Sequence, residues 1–157
     1  MTISKKKTQG LLFREARHSD LRKLVEMLSD DMLGATRDGF EHMPAYEAAF
    51  RDIQAQQGNT IIIAELDGEI VGMLQLTLIP GLSRAGMLRG QIESVRVSTT
   101  HRGQGIGKAL FEHATHRART AGCGLVQLTS DKQRRDAHNF YDQLGFEASH
   151  EGYKLGL

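Results

Sequence analysis

The feature that most constrains this chain is Arg102-Gly103-Gln104-Gly105-Ile106-Gly107-Lys108, which falls where a strand pattern over residues 91–98 gives way to a helical one over 103–121. Alternate glycines let a backbone turn tightly and come close to a ligand. The first N–H groups of a helix lack partners inside it and lie at the positive end of its dipole. A loop of this composition in this place has the form of a cradle for a phosphate-like anion, its structural alternative being a plain helix start.

Two familiar cradles do not fit. A P-loop requires Gly-x-x-x-x-Gly-Lys-Ser/Thr, whereas Gly107-Lys108 is followed by Ala109 and preceded at the first glycine position by Arg102. A dinucleotide fingerprint requires a third glycine where Lys108 stands.

Around this loop the chain reads as alternating strands and helices. A strand is expected over residues 11–16. Ser19-Asp20 offers an N-cap to a helix whose Leu21, Leu24, Val25 and Leu28 share one face and which ends near Asp30-Asp31. Pro44 suits the first turn of a second helix carrying Tyr46, Ala49, Phe50 and Ile53. Asp67-Gly68 joins strands 60–65 and 70–79 as a hairpin. In the 103–121 helix Leu110, Ala114, Ala118 and Ala121 face inward, and Gly122 stops it. A strand over 125–129 follows, then a helix over 136–144 capped by Gly145, then a last strand pair around Phe146 and residues 153–155.

The 157 residues suit one domain. Residues 1–10, with Lys5-Lys6-Lys7, read as a solvated tail and 11–157 as the domain. Twenty basic residues against 19 acidic leave a net charge of +1, which does not support a nucleic-acid partner. A lone Cys123 makes no intramolecular disulfide or thiolate metal site, as suits a reducing compartment. No signal-peptide core and no run of roughly 18 apolar residues appears, so no membrane partner and a cytoplasmic location are expected.

Arg102-x-x-Gly105-x-Gly107 matches the Arg/Gln-x-x-Gly-x-Gly/Ala signature of the GNAT superfamily of acetyl-CoA-dependent N-acetyltransferases. The preceding Ile92-Glu93-Ser94-Val95-Arg96-Val97 resembles the family's fourth strand, and Ala137-His138-Asn139-Phe140-Tyr141-Asp142-Gln143-Leu144-Gly145-Phe146 resembles its closing Ala-x-x-Phe-Tyr-x-x-x-Gly-Phe pattern. The resemblance is close over about residues 88–147 and architectural before them. It implies an α/β single domain with a mostly antiparallel mixed sheet, parallel splayed strands 4 and 5, and about four flanking helices. It also implies transfer of acetyl from acetyl-CoA to a primary amine by direct attack in a ternary complex, without a metal.

By the same resemblance, the pantetheine arm lies in the splay along Val95, Arg96 and Val97. The amides of Gly103, Gln104, Gly105, Ile106, Gly107 and Lys108 take the pyrophosphate, with Arg102 and Lys108 flanking it. Asn139 and Arg134 complete the cofactor set. Arg134 stands where many members have asparagine, so it either meets the nucleotide's 3′-phosphate or is solvated.

An alkylamine with a pKa near 10.4 is almost wholly protonated at neutral pH, so a carboxylate near the reacting centre is useful. Period-two alternation would place Glu93 on the side of Val95 and Val97. The family often carries an acid there, as direct or water-relayed base or as a site for the ammonium; the structural alternative is an ion pair with Arg96 or a loop residue. The Phe-Tyr motif nominates Tyr141 to hydrogen-bond the departing sulfur, its alternative being packing beside Phe140 and Phe146. The oxyanion would be held by a backbone amide of the fourth strand, that of Val95. Asp30, Asp31, Glu41, Tyr46 and Phe50 are acceptor-site candidates by location, for a small-molecule or protein amine, the alternative being an ordinary solvated loop. His113 and His116 read as surface residues and Cys123 as a small buried one. A non-catalytic acyl-CoA sensor is the alternative function, a nucleic-acid-binding regulator a further rival, and a homodimer is an expectation from the family's habit.

Overall fold

The hairpin at Asp67-Gly68 organises the sheet, both residues having positive φ (50° and 81°) as a two-residue turn of this twist requires. A computed structural model describes residues 8–31 and 33–157; the Lys5–Lys7 part of the expected tail lies outside them. The described chain forms two compact units that part between Gln127 and Leu128.

The first unit holds strands β1 (Leu12–Glu15), β2 (Asn59–Leu66), β3 (Glu69–Ile79), β4 (Arg89–Val97) and β5 (Leu125–Gln127). They run in the order β1-β2-β3-β4-β5. All neighbours are antiparallel except β4 and β5, which pair in parallel over Arg89↔Leu125, Gly90↔Val126 and Gln91↔Gln127. Residues 92–97 of β4 thus run on without a β5 partner, the splay expected between strands 4 and 5.

Helices α1 (Leu21–Ser29) and α2 (Met43–Ala55) cover one face and α3 (Ile106–Thr120) the other. On the first face Leu24 and Met27 pack on Ile63 and Met73, while Leu21 and Val25 pack with Phe50. On the second, α3 buries Ile106, Leu110, Phe111, Ala114 and Ala118. It lies so close to β3 that a Cβ on Gly72 would stand 2.7 Å from Leu110 Cδ1 and 3.2 Å from Ile106 Cγ2.

Asp20 precedes α1 as expected but makes no side-chain cap. It is the last residue of a 3₁₀ turn and already helical in conformation, so its carboxylate turns back to accept from the Arg17 N–H (2.7 Å) and from both terminal nitrogens of Arg14 (2.8 and 3.0 Å). The Arg14 guanidinium, ahead of the opposing effect of burial, holds the Asp20 carboxyl below the ordinary aspartate range. A depressed folded-state value means that this stabilisation is complete above the unfolded aspartate value of about 3.9 and is lost as pH falls through the lower folded value. Urea denaturation across acidic pH should show that loss in the wild type and a flatter profile in Asp20→Asn.

The second unit contains α4 (Arg135–Gln143), ended by Gly145 at φ 87°. The expected last strand pair is absent among the described residues. Phe146 donates its N–H to Tyr141 O (3.1 Å) and so finishes the helix. Tyr153 and Leu155 alternate as a strand would, yet are 92% and 87% exposed with no ladder beside them.

Candidate active site

β4, which carries several of the candidate residues, has an interrupted pairing with β3. The register runs Gly72↔Val97 and Met73↔Arg96, then resumes at Gln75↔Glu93, so Ser94 and Val95 together oppose Leu74. Ser94 takes φ 54°, the left-handed region that a non-glycine residue seldom enters. This is a β-bulge, which bends the strand and re-aims its groups. It overturns part of the alternation expected for Glu93. Partners across a ladder share a face, so Glu93 opposite Gln75 and Arg96 opposite Met73 share the α1 side. Val97, opposite Gly72, lies on the α3 side.

Glu93 is exposed and accepts a hydrogen bond from Gln91 Nε2 at 3.3 Å. Among the described residues no cation lies in ion-pair range of it. The ion pair with Arg96 is not formed; Arg96 is matched with Asp31 at 3.3 Å.

Beyond β4 the loop opens as its glycines predict. Gly103 (φ 73°) and Gly105 (φ 83°) are left-handed, and Gly105 is the N-cap of α3. No side chain caps that helix and no acid stands in its first turn. Among the described residues a Cβ on Gly103 would meet nothing within 4 Å, and one on Gly105 only Thr8 Cγ2 at 3.8 Å. N–H groups without a side-chain cap suit the pyrophosphate of coenzyme A, and the unpaired edge of 92–97 suits an extended amide-bearing arm. Arg102 also straps the loop: Nε donates to Val97 O (3.3 Å) and Nη2 to Asp30 O (3.2 Å). Gln104 reaches back to Thr100 O at 3.5 Å, and Lys108 pairs with Glu112 at 3.8 Å.

Of the acceptor candidates, Asp30 and Asp31 are drawn to this end of β4. Thr99 Oγ1 donates to Asp30, while Asp31 accepts from the Gly34 N–H and pairs with Arg96. Tyr46 donates to Asp38 (2.7 Å) and accepts from the Gly39 N–H (3.2 Å), holding the segment before α2; burial, with Asp38 next, pushes its phenol upward. Glu41 is exposed beside His42. Phe50 is a correction: it is 2% exposed because α2 turns it into the core against Leu21 and Val25. His113 is a second correction, stacked on Phe13 at 4.6 Å, with burial lowering its pKa.

In the second unit Tyr141 packs edge-on to Phe140 (5.6 Å) and Phe146 (6.1 Å). Arg134 is the half-buried residue before α4, and Asn139 is exposed on that helix.

Sequence reasoning passed over a polar row on the α1 side of the sheet. Asn59, Thr77, Gln91 and Gln127 stand level across β2, β3, β4 and β5. Each lies in a different stretch of sequence, so only the register reveals the row.

A parallel pair that splays beside an uncapped, glycine-opened helix defines an acyl-CoA-binding class of fold. The model described as Acetyltransferase (GNAT) family matches residues 21–146, and the chain belongs to that family of acetyl-CoA-dependent N-acetyltransferases. It is 31% identical over 149 residues to the glucosamine 6-phosphate N-acetyltransferase of Trypanosoma brucei brucei, covering 94% of this chain and 96% of that one. It is 40% identical over 95 residues to the aminoalkylphosphonate N-acetyltransferase of Salmonella typhimurium, a match spanning 60% of this chain and 61% of that protein. A solved structure from Bacillus halodurans, described as a transcriptional regulator, has a TM-score of 0.90 and 48% identity, covering 94% of this chain and 99% of that one. Among the described residues no helix is long and apolar enough to cross a membrane, and no cluster of three metal-ligating side chains occurs.

Proposed function

We propose that residues 11–157 act as one catalytic domain that acetylates the primary amine of a small molecule by direct attack within a ternary complex, in the cytoplasm. The observation that carries this reading is the course of β4, which leaves β5 after Gln91, passes Glu93 and the bulge, and ends at the open N-terminus of α3. The relatives support a small acceptor: one is named for an aminoalkylphosphonate and the other for glucosamine 6-phosphate.

Acetyl-CoA supplies the activated acetyl thioester. The edge of 92–97 holds its arm, and the amides of 103–108, with Arg102 and Lys108, hold its pyrophosphate; Arg134 and Asn139 serve the nucleotide end. Glu93 takes a proton from the incoming ammonium, directly or through water. The Val95 N–H, at the bulge, faces the oxygen on which charge develops. Tyr141 donates a hydrogen bond to the departing sulfur. An ordinary phenol near 10 is a weaker acid than an ordinary thiol near 8.5, so full transfer is uphill and the hydrogen bond is the useful part. Tyr141→Phe should therefore lower kcat by about tenfold without abolishing turnover, read in a steady-state assay of free thiol release.

The testing experiment is calorimetric titration with acetyl-CoA followed by mass-spectrometric detection of acetylated product across a panel of amines. Binding with product supports the proposal. Binding without product from any amine favours the second reading, an acyl-CoA sensor, to which the similarity with the Bacillus halodurans regulator lends weight. No binding removes both.

A further inference from the structure

We infer that Arg89 is the anion-holding end of the acceptor site, so that the preferred acceptor is a primary amine bearing an oxyanion group at its far end. This rests on the acetyl-transfer reading above and deepens it. The sheet face under α1 and α2 is divided. Where the helices pack, it presents Ile61, Ile63 and Met73. Towards the start of β4 it presents Asn59, Thr77, Gln91 and Gln127 in one row and Gln75 and Glu93 in the next. None of these six side chains is fully buried, so the polar end is open to a ligand with hydrogen-bonding groups.

A directed chain of hydrogen bonds joins its two charges. Arg89 Nη1 donates to Gln127 Oε1 (3.3 Å), Gln127 Nε2 donates to Gln91 Oε1 (2.8 Å), and Gln91 Nε2 donates to Glu93 Oε1 (3.3 Å). All three run the same way, from guanidinium to carboxylate, so each link polarises the next and holds the two charges at a set separation.

Arg89 itself is under-used. A guanidinium has five N–H donors. Among the described residues the hydrogen bond to Gln127 is its one side-chain contact of that kind, and no carboxylate lies within 4.0 Å of it. Yet the residue is half-buried on the sheet. A partly desolvated cation with spare forked donors is matched by an oxyanion, which it can hold bidentately.

That oxyanion is not the cofactor's. Arg89 begins β4 and the glycine cradle follows its other end, about 26 Å away at 3.3 Å per residue. From Arg89 to Glu93 the same rise gives about 13 Å between backbones, so the ends of an acceptor touching both are on the order of 10 Å apart. The amides of Gln91 and Gln127 lie between them for hydroxyl or carbonyl groups along the acceptor.

The test compares 6-aminohexyl phosphate with 6-amino-1-hexanol, binding each calorimetrically to the CoA-loaded protein and assaying acetylation separately. The wild type should bind the phosphate tighter by tenfold or more. Arg89→Gln should erase that ratio and Arg89→Lys restore part of it, whereas 2-aminoethyl phosphate, too short to span the strip, should gain little. Equal affinity of the wild type for the two long amines overturns the inference. So does a loss in Arg89→Gln that falls alike on both. Acetylation of both amines alongside equal affinities would leave the acetyl-transfer reading intact while removing Arg89. Discrimination in binding without acetylation of either would do the reverse.

Discussion

Glu93→Gln is expected to lower kcat/KM for acetyl transfer by about 10²–10⁴-fold while leaving acetyl-CoA affinity unchanged. At pH 7 only on the order of one alkylamine in 10³ is neutral, and only the neutral form carries the lone pair that attacks. A carboxylate that takes the proton in place raises the competent fraction; an amide of the same shape does not. The substitution keeps an acceptor oxygen for Gln91 Nε2, and Glu93 is exposed, so the fold has no reason to suffer. Steady-state kinetics with a single acceptor gives the answer. A rise in KM with kcat unchanged would make Glu93 a binding site for the ammonium, and a change smaller than tenfold in both constants would remove it from the chemistry.

Gly105→Glu is expected to abolish acetyl-CoA binding in a protein that still folds. The residue is the left-handed N-cap of α3, so a side chain there costs roughly 1–2 kcal/mol in backbone strain. The new Cβ has room, with Thr8 Cγ2 at 3.8 Å as its neighbour. An acid at a helix N-terminus is favourable to the helix itself. The same carboxylate would occupy and repel the place where the pyrophosphate must sit. Gly105→Ala separates the two effects, since it carries the strain without the charge and should weaken calorimetric binding far less. Binding by the glutamate variant at wild-type strength would remove residues 103–108 from the cofactor site.

What the sequence disclosed well was local. The turn at Asp67-Gly68, Pro44 at the start of α2, and Gly103 and Gly105 ahead of α3 each carry their backbone requirement in their own side chains, or lack of them. The failures share a different origin. Ser94 has no residue-level mark of a bulge, being neither glycine nor next to one, so the shift that parts Glu93 from Val97 was invisible without β3 beside it. Asp20 has the composition of a cap, but the preceding turn and Arg14 decide where its carboxylate points. Phe50 lies on α2 with Tyr46, Ala49 and Ile53, and contact with Leu21 and Val25 of α1 takes it into the core. The row from Asn59 to Gln127 is assembled from four strands and has no sequence spacing at all. Tyr153 and Leu155 show the converse: alternation is a local property, whereas a strand exists only with a neighbour.

Ser94 has one more consequence. Like a dislocation in a regular lattice, it adds one unit to one row and leaves the rows on both sides in step. A chain without it could still set Gln75 against Glu93 and Met73 against Arg96, with Val95 now facing Leu74 and the lattice unbroken. The ladder therefore gains nothing from this residue. Its presence instead turns the strand over by one step, so that Glu93 and Val97, which strict alternation would set on one face, serve opposite faces of the sheet, and the changeover takes place within a single peptide unit.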